Sequence, residues 1–254
     1  FDTKVIAIAN QKGGVGKTTS AVNVSAYFAV AEIPTLLIDM DPQGNATTGL
    51  GISIPNLEKT VYDVLIGKND INETIKKTDL KFLDILPSNS QLVGAEIELV
   101  GMLAREMMLK TAIDSMMGKY KYIIIDTPPS LGLLTVNVLM AANSVLIPIQ
   151  CEYYALEGLS QLLNTIRLIQ KHKNKTIKED LEIEGILITM FDNRLNLSKQ
   201  VVDEVKDYFD EECHECDEFH EIHELSVHIP GAYPCDLRDL RDITYTTYTL
   251  SLIH

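Results

Sequence analysis

Val5-Ile6-Ala7-Ile8-Ala9-Asn10-Gln11-Lys12-Gly13-Gly14-Val15-Gly16-Lys17-Thr18-Thr19 is the stretch that decides the fold. Its five leading apolar residues form an unbroken run, the pattern of a strand buried on both faces as in a parallel sheet. Three glycines then fall within four positions, which frees the backbone to fold tightly before a helical segment opens near Thr18. A strand, a glycine-rich turn and a helix N-terminus in that order aim successive amide groups and a partial positive charge at an anion. The spacing places Lys17 to reach β- and γ-phosphates and the Thr18 hydroxyl to ligate Mg²⁺. The eight residues Lys12 to Thr19 hold three glycines, two lysines and two threonines, more than a plain strand-to-helix connection requires. Gln11 stands where the common phosphate-loop pattern has its first glycine, and a second lysine, Lys12, follows it.

Outward from this stretch, similar apolar runs recur at Thr35-Leu36-Leu37-Ile38, Phe82 to Leu86, Tyr122 to Ile125, Ser144 to Ile147 and Gly185 to Ile188. Between them the helical period predicts helices at about 18–31, 92–117, 131–142, 155–172 and 196–209. The alternation predicts an α/β fold, a mostly parallel twisted sheet with helices on both faces and ligands at the carboxyl ends of the strands.

Two strand ends carry carboxylates. Leu37-Ile38-Asp39-Met40-Asp41-Pro42-Gln43-Gly44-Asn45-Ala46-Thr47 closes the second strand, and Ile123-Ile124-Ile125-Asp126-Thr127-Pro128-Pro129-Ser130 closes another. Acidic residues leaving strands beside a phosphate loop can hold a metal's hydration shell and orient an attacking water. The bland alternative is a turn, with Asp41-Pro42 as its initiator.

The chain has 254 residues, 46% of them apolar, enough for a full core in one domain. It has no long uncharged apolar run and no secretory pattern, which predicts a cytoplasmic protein without membrane attachment. Phe1 in place of Met points to a missing or processed N-terminal segment. Four cysteines do not suggest a disulfide framework. The net charge is −14, of which residues 201–254 carry −11 and residues 1–200 only −3. Bulk charge therefore opposes non-specific nucleic-acid binding, although a local basic patch in the first 200 residues could serve.

Lys12-Gly-Gly-Val-Gly-Lys17-Thr-Thr resembles the deviant Walker A motif of P-loop NTPases in the ParA/MinD/nitrogenase-iron-protein superfamily, and the preceding Asn10-Gln11 resembles its ParA/Soj branch. Similarity extends through Leu86-Pro87-Ser88-Asn89, the block Pro148 to Gly158 and Thr189 to Arg194, covering residues 4 to about 209. The resemblance implies an ATPase that binds ATP, ADP and Mg²⁺, dimerises with ATP, sits on DNA without sequence preference and is stimulated by a ParB-type partner in chromosome or plasmid partitioning. It implies a cytoplasmic, nucleoid-associated protein. It also implies the roles of single residues. Lys12 crosses to the partner subunit's nucleotide, and Lys17 acts on the β- and γ-phosphates. Gly13, Gly14, Val15, Gly16, Thr18 and Thr19 complete the phosphate loop. Asp41 positions the water, so that Lys12, Lys17 and Asp41 form the catalytic set, while Thr18, Asp39 and Asp126 hold the metal.

After residue 209 the texture changes, which predicts an ATPase domain over 1–209 and an atypical acidic segment over 210–254. Val227-His228-Ile229-Pro230-Gly231-Ala232 keeps only the Ile-Pro of a family strand, making Pro230 the residue to pack on adenine, and Ala232 stands where the family has asparagine. Cys213-His214-Glu215-Cys216 with His220 and His223 has the chemistry of a Zn²⁺ site, set among glutamates that suit a solvated tail. Three other functions compete. A MinD-like membrane regulator needs a basic amphipathic C-terminus, and Ile243 to His254 holds no lysine or arginine. An iron-protein reductase needs cluster cysteines, and only Cys151 lies in the body that resembles the family. The third is an ATP-dependent interaction module without DNA binding.

Overall fold

Each apolar run becomes a strand in the computed structural model, which describes residues 1–212 apart from 153, 154 and 193. The strands are β1 (Lys4–Ile8), β2 (Thr35–Asp39), β3 (Lys76–Lys77), β4 (Leu83–Leu86), β5 (Tyr122–Asp126), β6 (Ser144–Gln150) and β7 (Glu182–Thr189). They form one sheet in the order β3-β4-β2-β5-β1-β6-β7, with β3 antiparallel to β4 and every other pair parallel. The helices are α1 (Lys17–Val30), α2 (Asn45–Gly49), α3 (Val61–Leu65), α4 (Ile71–Thr74), α5 (Leu92–Glu98), α6 (Met108–Asp114), α7 (Leu133–Ala141), α8 (Ala155–Thr176) and α9 (Asn196–Glu212).

Alternation along the strands sends successive side chains to opposite faces, so each face has its own core. Ile6, Ile8, Leu37, Ile85 and Ile124 meet Ala21, Phe28, Ala46 and Leu50 from α1 and α2. The Phe28 ring stacks on Tyr122 at 4.3 Å between centroids. Val5, Ala7, Leu36, Ile38, Ile123, Ile125 and Val145 face the other way and meet α3 and α5 through α9. Helices therefore cover both faces, as the sequence pattern predicts.

The helix predicted over 92–117 is three pieces: α5, a 3₁₀ turn at Leu99–Gly101, and α6. Gly101 follows a periodic apolar row, and Ala104 takes a left-handed conformation with φ of 50° that no helix admits. The expected 1–209 and 210–254 division, Pro230 and the Cys213 to His223 cluster fall wholly or partly outside the described residues. No helix among the described residues is long and apolar enough to cross a membrane.

One buried charge stands out in the packing. Lys173 of α8 is fully buried, and its Nζ donates to the carbonyl of Ala142 at 2.5 Å. Burial pushes its pKa from 10.5 down to about 8, against the pull of Glu179. The unfolded chain thus binds more protons between these two values, and stability rises with pH across that window. Below it the folded state carries the whole desolvation cost. Lys173→Met is expected to raise the melting temperature at pH 7 by roughly 2–8 °C and to flatten its rise between pH 8 and 10.5. Calorimetric melts of both proteins across this range check it, and an unchanged pH profile counts against it.

Candidate active site

Strand order brings the three motifs together. β5 lies between β1 and β2, and the register pairs Ile8 with Asp126 and Asp126 with Asp39. The phosphate loop and the two acidic loops therefore leave three adjacent strands at the same end. The chain winds to one side of β1 through α1 and to the other through α7, so this end is the switch point where open α/β sheets bind ligands.

The phosphate loop is held from below. Asn10 is buried; its amide donates to the Pro148 carbonyl at 2.7 Å and its oxygen accepts from the Lys12 amide at 2.9 Å. Thr189, at the end of β7, donates to the Val15 carbonyl at 2.9 Å and its Cγ2 abuts Gly16. Gly14 and Gly16 have φ of 78° and 87°, in the left-handed region that a side chain would strain. Gly16 caps α1, so amides of Lys17, Thr18 and Thr19 open toward the loop. Lys17 is buried, and its Nζ donates to the Lys12 carbonyl at 2.7 Å, which curls the loop around the ammonium. Burial lowers its pKa, while the Asp126 and Asp41 charges pull the other way. Lys12 points elsewhere: its half-exposed Nζ forms an ion pair with Glu152, just past β6.

The acids differ in their surroundings. Asp39 is fully buried and fully engaged: one oxygen accepts from the Asp41 amide at 3.1 Å, the other from the Thr47 amide at 2.8 Å and hydroxyl at 2.7 Å. Burial raises its pKa to about 6 even so. The Thr47 hydroxyl also accepts from the Ser88 amide at 2.9 Å, joining the loop after β2 to the loop after β4. Asp41 is buried with one oxygen accepting from the Gln43 amide at 2.9 Å. Asp126 is fully buried, and neither of its oxygens has a hydrogen bond of normal geometry. Burial raises its pKa to about 7; the Thr18 side chain and Lys17 lower it, and Asp39 and Asp41 raise it further.

The structure thus brings Lys17, Thr18, Asp39, Asp41 and Asp126 to one place and turns Lys12 to the side. Sequence reasoning missed the supporting roles of Asn10, Thr47, Glu152 and Thr189. Each lies in a stretch already singled out, but a small polar residue carries no signal of its hydrogen-bond partner.

Comparison with known proteins decides the family. The AAA domain family matches residues 3–179. The chain is 57% identical over 211 residues to the sporulation initiation inhibitor protein Soj of Bacillus subtilis, covering 83% of this chain and 82% of that protein. It is 54% identical over 209 residues to the chromosome partitioning protein ParA of Myxococcus xanthus, covering 82% and 72%. The chain belongs to the Soj/ParA family of chromosome-partitioning ATPases. A solved structure described as cobyrinic acid a,c-diamide synthase from Mycobacterium smegmatis, with bound ADP and magnesium, superposes on this ATPase with a TM-score of 0.76. The two are 40% identical, over 81% of this chain and 82% of that one. Among the described residues of this Soj/ParA ATPase the free cysteine is Cys151, half-buried, its thiol pKa raised by burial.

Proposed function

We propose that this ATPase binds Mg-ATP at the switch point, dimerises in the ATP state and releases the dimer on hydrolysis, as a switch in DNA partitioning. One observation carries the reading: a buried carboxylate, Asp126, with no hydrogen bond of normal geometry, beside the Thr18 hydroxyl and a buried lysine at the head of a phosphate loop. A buried charge in that condition is costly, and a cation is the partner that removes the cost. Asp126 and the Thr18 hydroxyl suit Mg²⁺, which commonly takes one or two protein oxygens and shares phosphate oxygens. Asp39 supports this site from behind by fixing the loop that carries Asp41. The bound ion supplies positive charge against the charge that spreads over the transferring phosphoryl group.

The protein's own groups do the rest. The amides of the glycine loop and of the first turn of α1 cradle the β-phosphate, and Lys17 neutralises the γ-phosphate. Asp41, held by the Gln43 amide, orients the water. Lys12 is half-exposed on the rim and can turn from Glu152 toward a second subunit's phosphates, where a cation acts as an arginine finger does. DNA and a ParB-type protein are the partners that this family membership favours, and the working assembly is a homodimer on the nucleoid. Residues 1–209 form the ATPase unit in this reading, and the acidic 210–254 segment weakens DNA contact.

Light scattering after size exclusion tests the cycle. The chain should double its mass with ATP and Mg²⁺ but not with ADP, and Lys12→Ala should bind ATP with near-normal affinity and stay monomeric. On duplex DNA, only the ATP form should be retained, at low salt, with loss of roughly tenfold or more in affinity toward physiological salt. A Lys12→Ala protein that dimerises and hydrolyses normally refutes the trans role. Tight, nucleotide-independent DNA binding at physiological salt refutes the charge argument, and no binding at any salt favours an interaction module without DNA.

A further inference from the structure

The end of β7 reaches the phosphate loop with one side chain. Thr189 closes the strand, paired with Gln150 of β6, and its Oγ1 lies 2.9 Å from the Val15 carbonyl oxygen and 3.2 Å from that of Ile149. A Cβ on Gly16 would stand 3.5 Å from its Cγ2, so the side chain also packs against the last glycine of the loop. A threonine hydroxyl has a single proton and serves one of these carbonyls at a time. The shorter contact is the one to Val15. Met190, directly after it, holds φ of 54°, a strained conformation for a residue with a side chain, of the kind that persists where surrounding contacts over-determine the backbone.

The peptide unit that Thr189 holds carries a second polar group. The Val15 C=O and the Gly16 N–H belong to one planar trans peptide and point in opposite directions. Fixing the carbonyl against β7 therefore turns the Gly16 amide away from Thr189. That amide has no acceptor among the described residues, and Gly16, the N-cap of α1, directly precedes the buried Lys17. Val15 stands between Gly14 and Gly16, both in the left-handed region, so its peptide unit turns easily unless something holds it. We infer that Thr189 is a positioning residue for nucleotide binding, which aims the Gly16 N–H at the β-phosphate and keeps the Val15 carbonyl, which would repel that phosphate, turned away. The carbonyl of Ile149 gives the hydroxyl a second acceptor on β6 when the loop shifts, so the donor is not stranded. The inference rests on the proposed Mg-ATP site and adds to it a residue from the far end of the chain's described strands.

The test titrates Mg-ADP, which carries the β-phosphate and is not turned over, into the full chain and into its Thr189→Val and Thr189→Ser forms. Calorimetry reads affinity, and amide NMR reads the Gly16 proton, which moves downfield when it donates to a phosphate. Valine keeps the shape of threonine and loses the donor, while serine keeps the donor. Expected is a downfield Gly16 shift on binding in the unaltered and serine proteins, with affinities within about threefold of each other. The valine protein should lose the shift and bind about five- to tenfold more weakly. Unaltered affinity in the valine protein overturns the inference. So does weak binding with the Gly16 shift intact, because position 189 then supports the fold without aiming the amide, and so does a serine protein that behaves like the valine one. Should the valine protein fail to fold, Thr189→Ala takes its place under the same two readouts. An unaltered chain that does not bind Mg-ADP defeats the nucleotide-site reading together with this one, whereas binding without a Gly16 shift defeats this one alone.

Discussion

Lys17→Ala is expected to abolish nucleotide binding, lowering ATP affinity by at least about 100-fold, the equivalent of roughly 3 kcal/mol. The ammonium is buried at the head of the phosphate loop and bonded to the Lys12 carbonyl, so it meets the phosphates with little water to screen it. Its loss also leaves the Asp126 and Asp41 charges without the cation that attracts both, so anionic phosphates would enter a site of the wrong sign. Titration calorimetry with ATP and Mg²⁺ reads the outcome, and circular dichroism of the same sample shows that the fold survives. An unchanged affinity would remove Lys17 from the site.

Asp41→Ala is expected to spare binding and to impair chemistry. ATP affinity should stay within about threefold while turnover falls by roughly 100-fold or more, because water positioning acts in the transition state alone. The ATP-bound dimer then accumulates, and light scattering should find it long after the unaltered protein has returned to monomer. Asp41→Asn is the companion variant: it keeps an oxygen for the Gln43 amide and removes the charge, so it separates loop geometry from chemistry. Ordinary hydrolysis by both variants would move the role to another carboxylate.

Much of this arrangement is legible in the sequence because burial on two faces leaves an unmistakable mark. Val5 to Ile8, Leu36 to Ile38 and Ile123 to Ile125 are continuous apolar runs, and their order with the intervening helices gives the parallel sheet. The phosphate loop is legible because glycines, lysine and threonine at fixed spacing have few other uses. What escapes has a physical reason in each case. β3 is Lys76-Lys77, at the edge of the sheet among the described residues and guarded by charge, which an apolar pattern cannot detect. β7 begins at Glu182, three residues before its apolar run, because its first residues are exposed or half-buried and tolerate charge. α2, α3 and α4 have four or five residues, too few to display a period. The 92–117 segment keeps a helical period through Leu99 and Val100, and the turn at Gly101 to Ala104 is invisible to periodicity. In the site, the sequence identifies the three acids but not their division of labour. Asp39 and Asp126 look alike as strand-terminal aspartates; the Asp41 and Thr47 amides and the Thr47 hydroxyl engage both oxygens of one, while the other has no hydrogen bond of normal geometry.

That hydroxyl has a further consequence for which sequences this fold tolerates. One oxygen both donates to Asp39 and accepts from the Ser88 amide, in a fully buried position. Valine matches threonine in shape but would take one of three bonds from the Asp39 carboxylate and leave the buried Ser88 amide without its acceptor, while serine keeps both bonds and gives up only a methyl group. Position 47 is thus a narrow gate for drift: volume alone does not license a replacement there, and the acceptable alphabet shrinks almost to two letters.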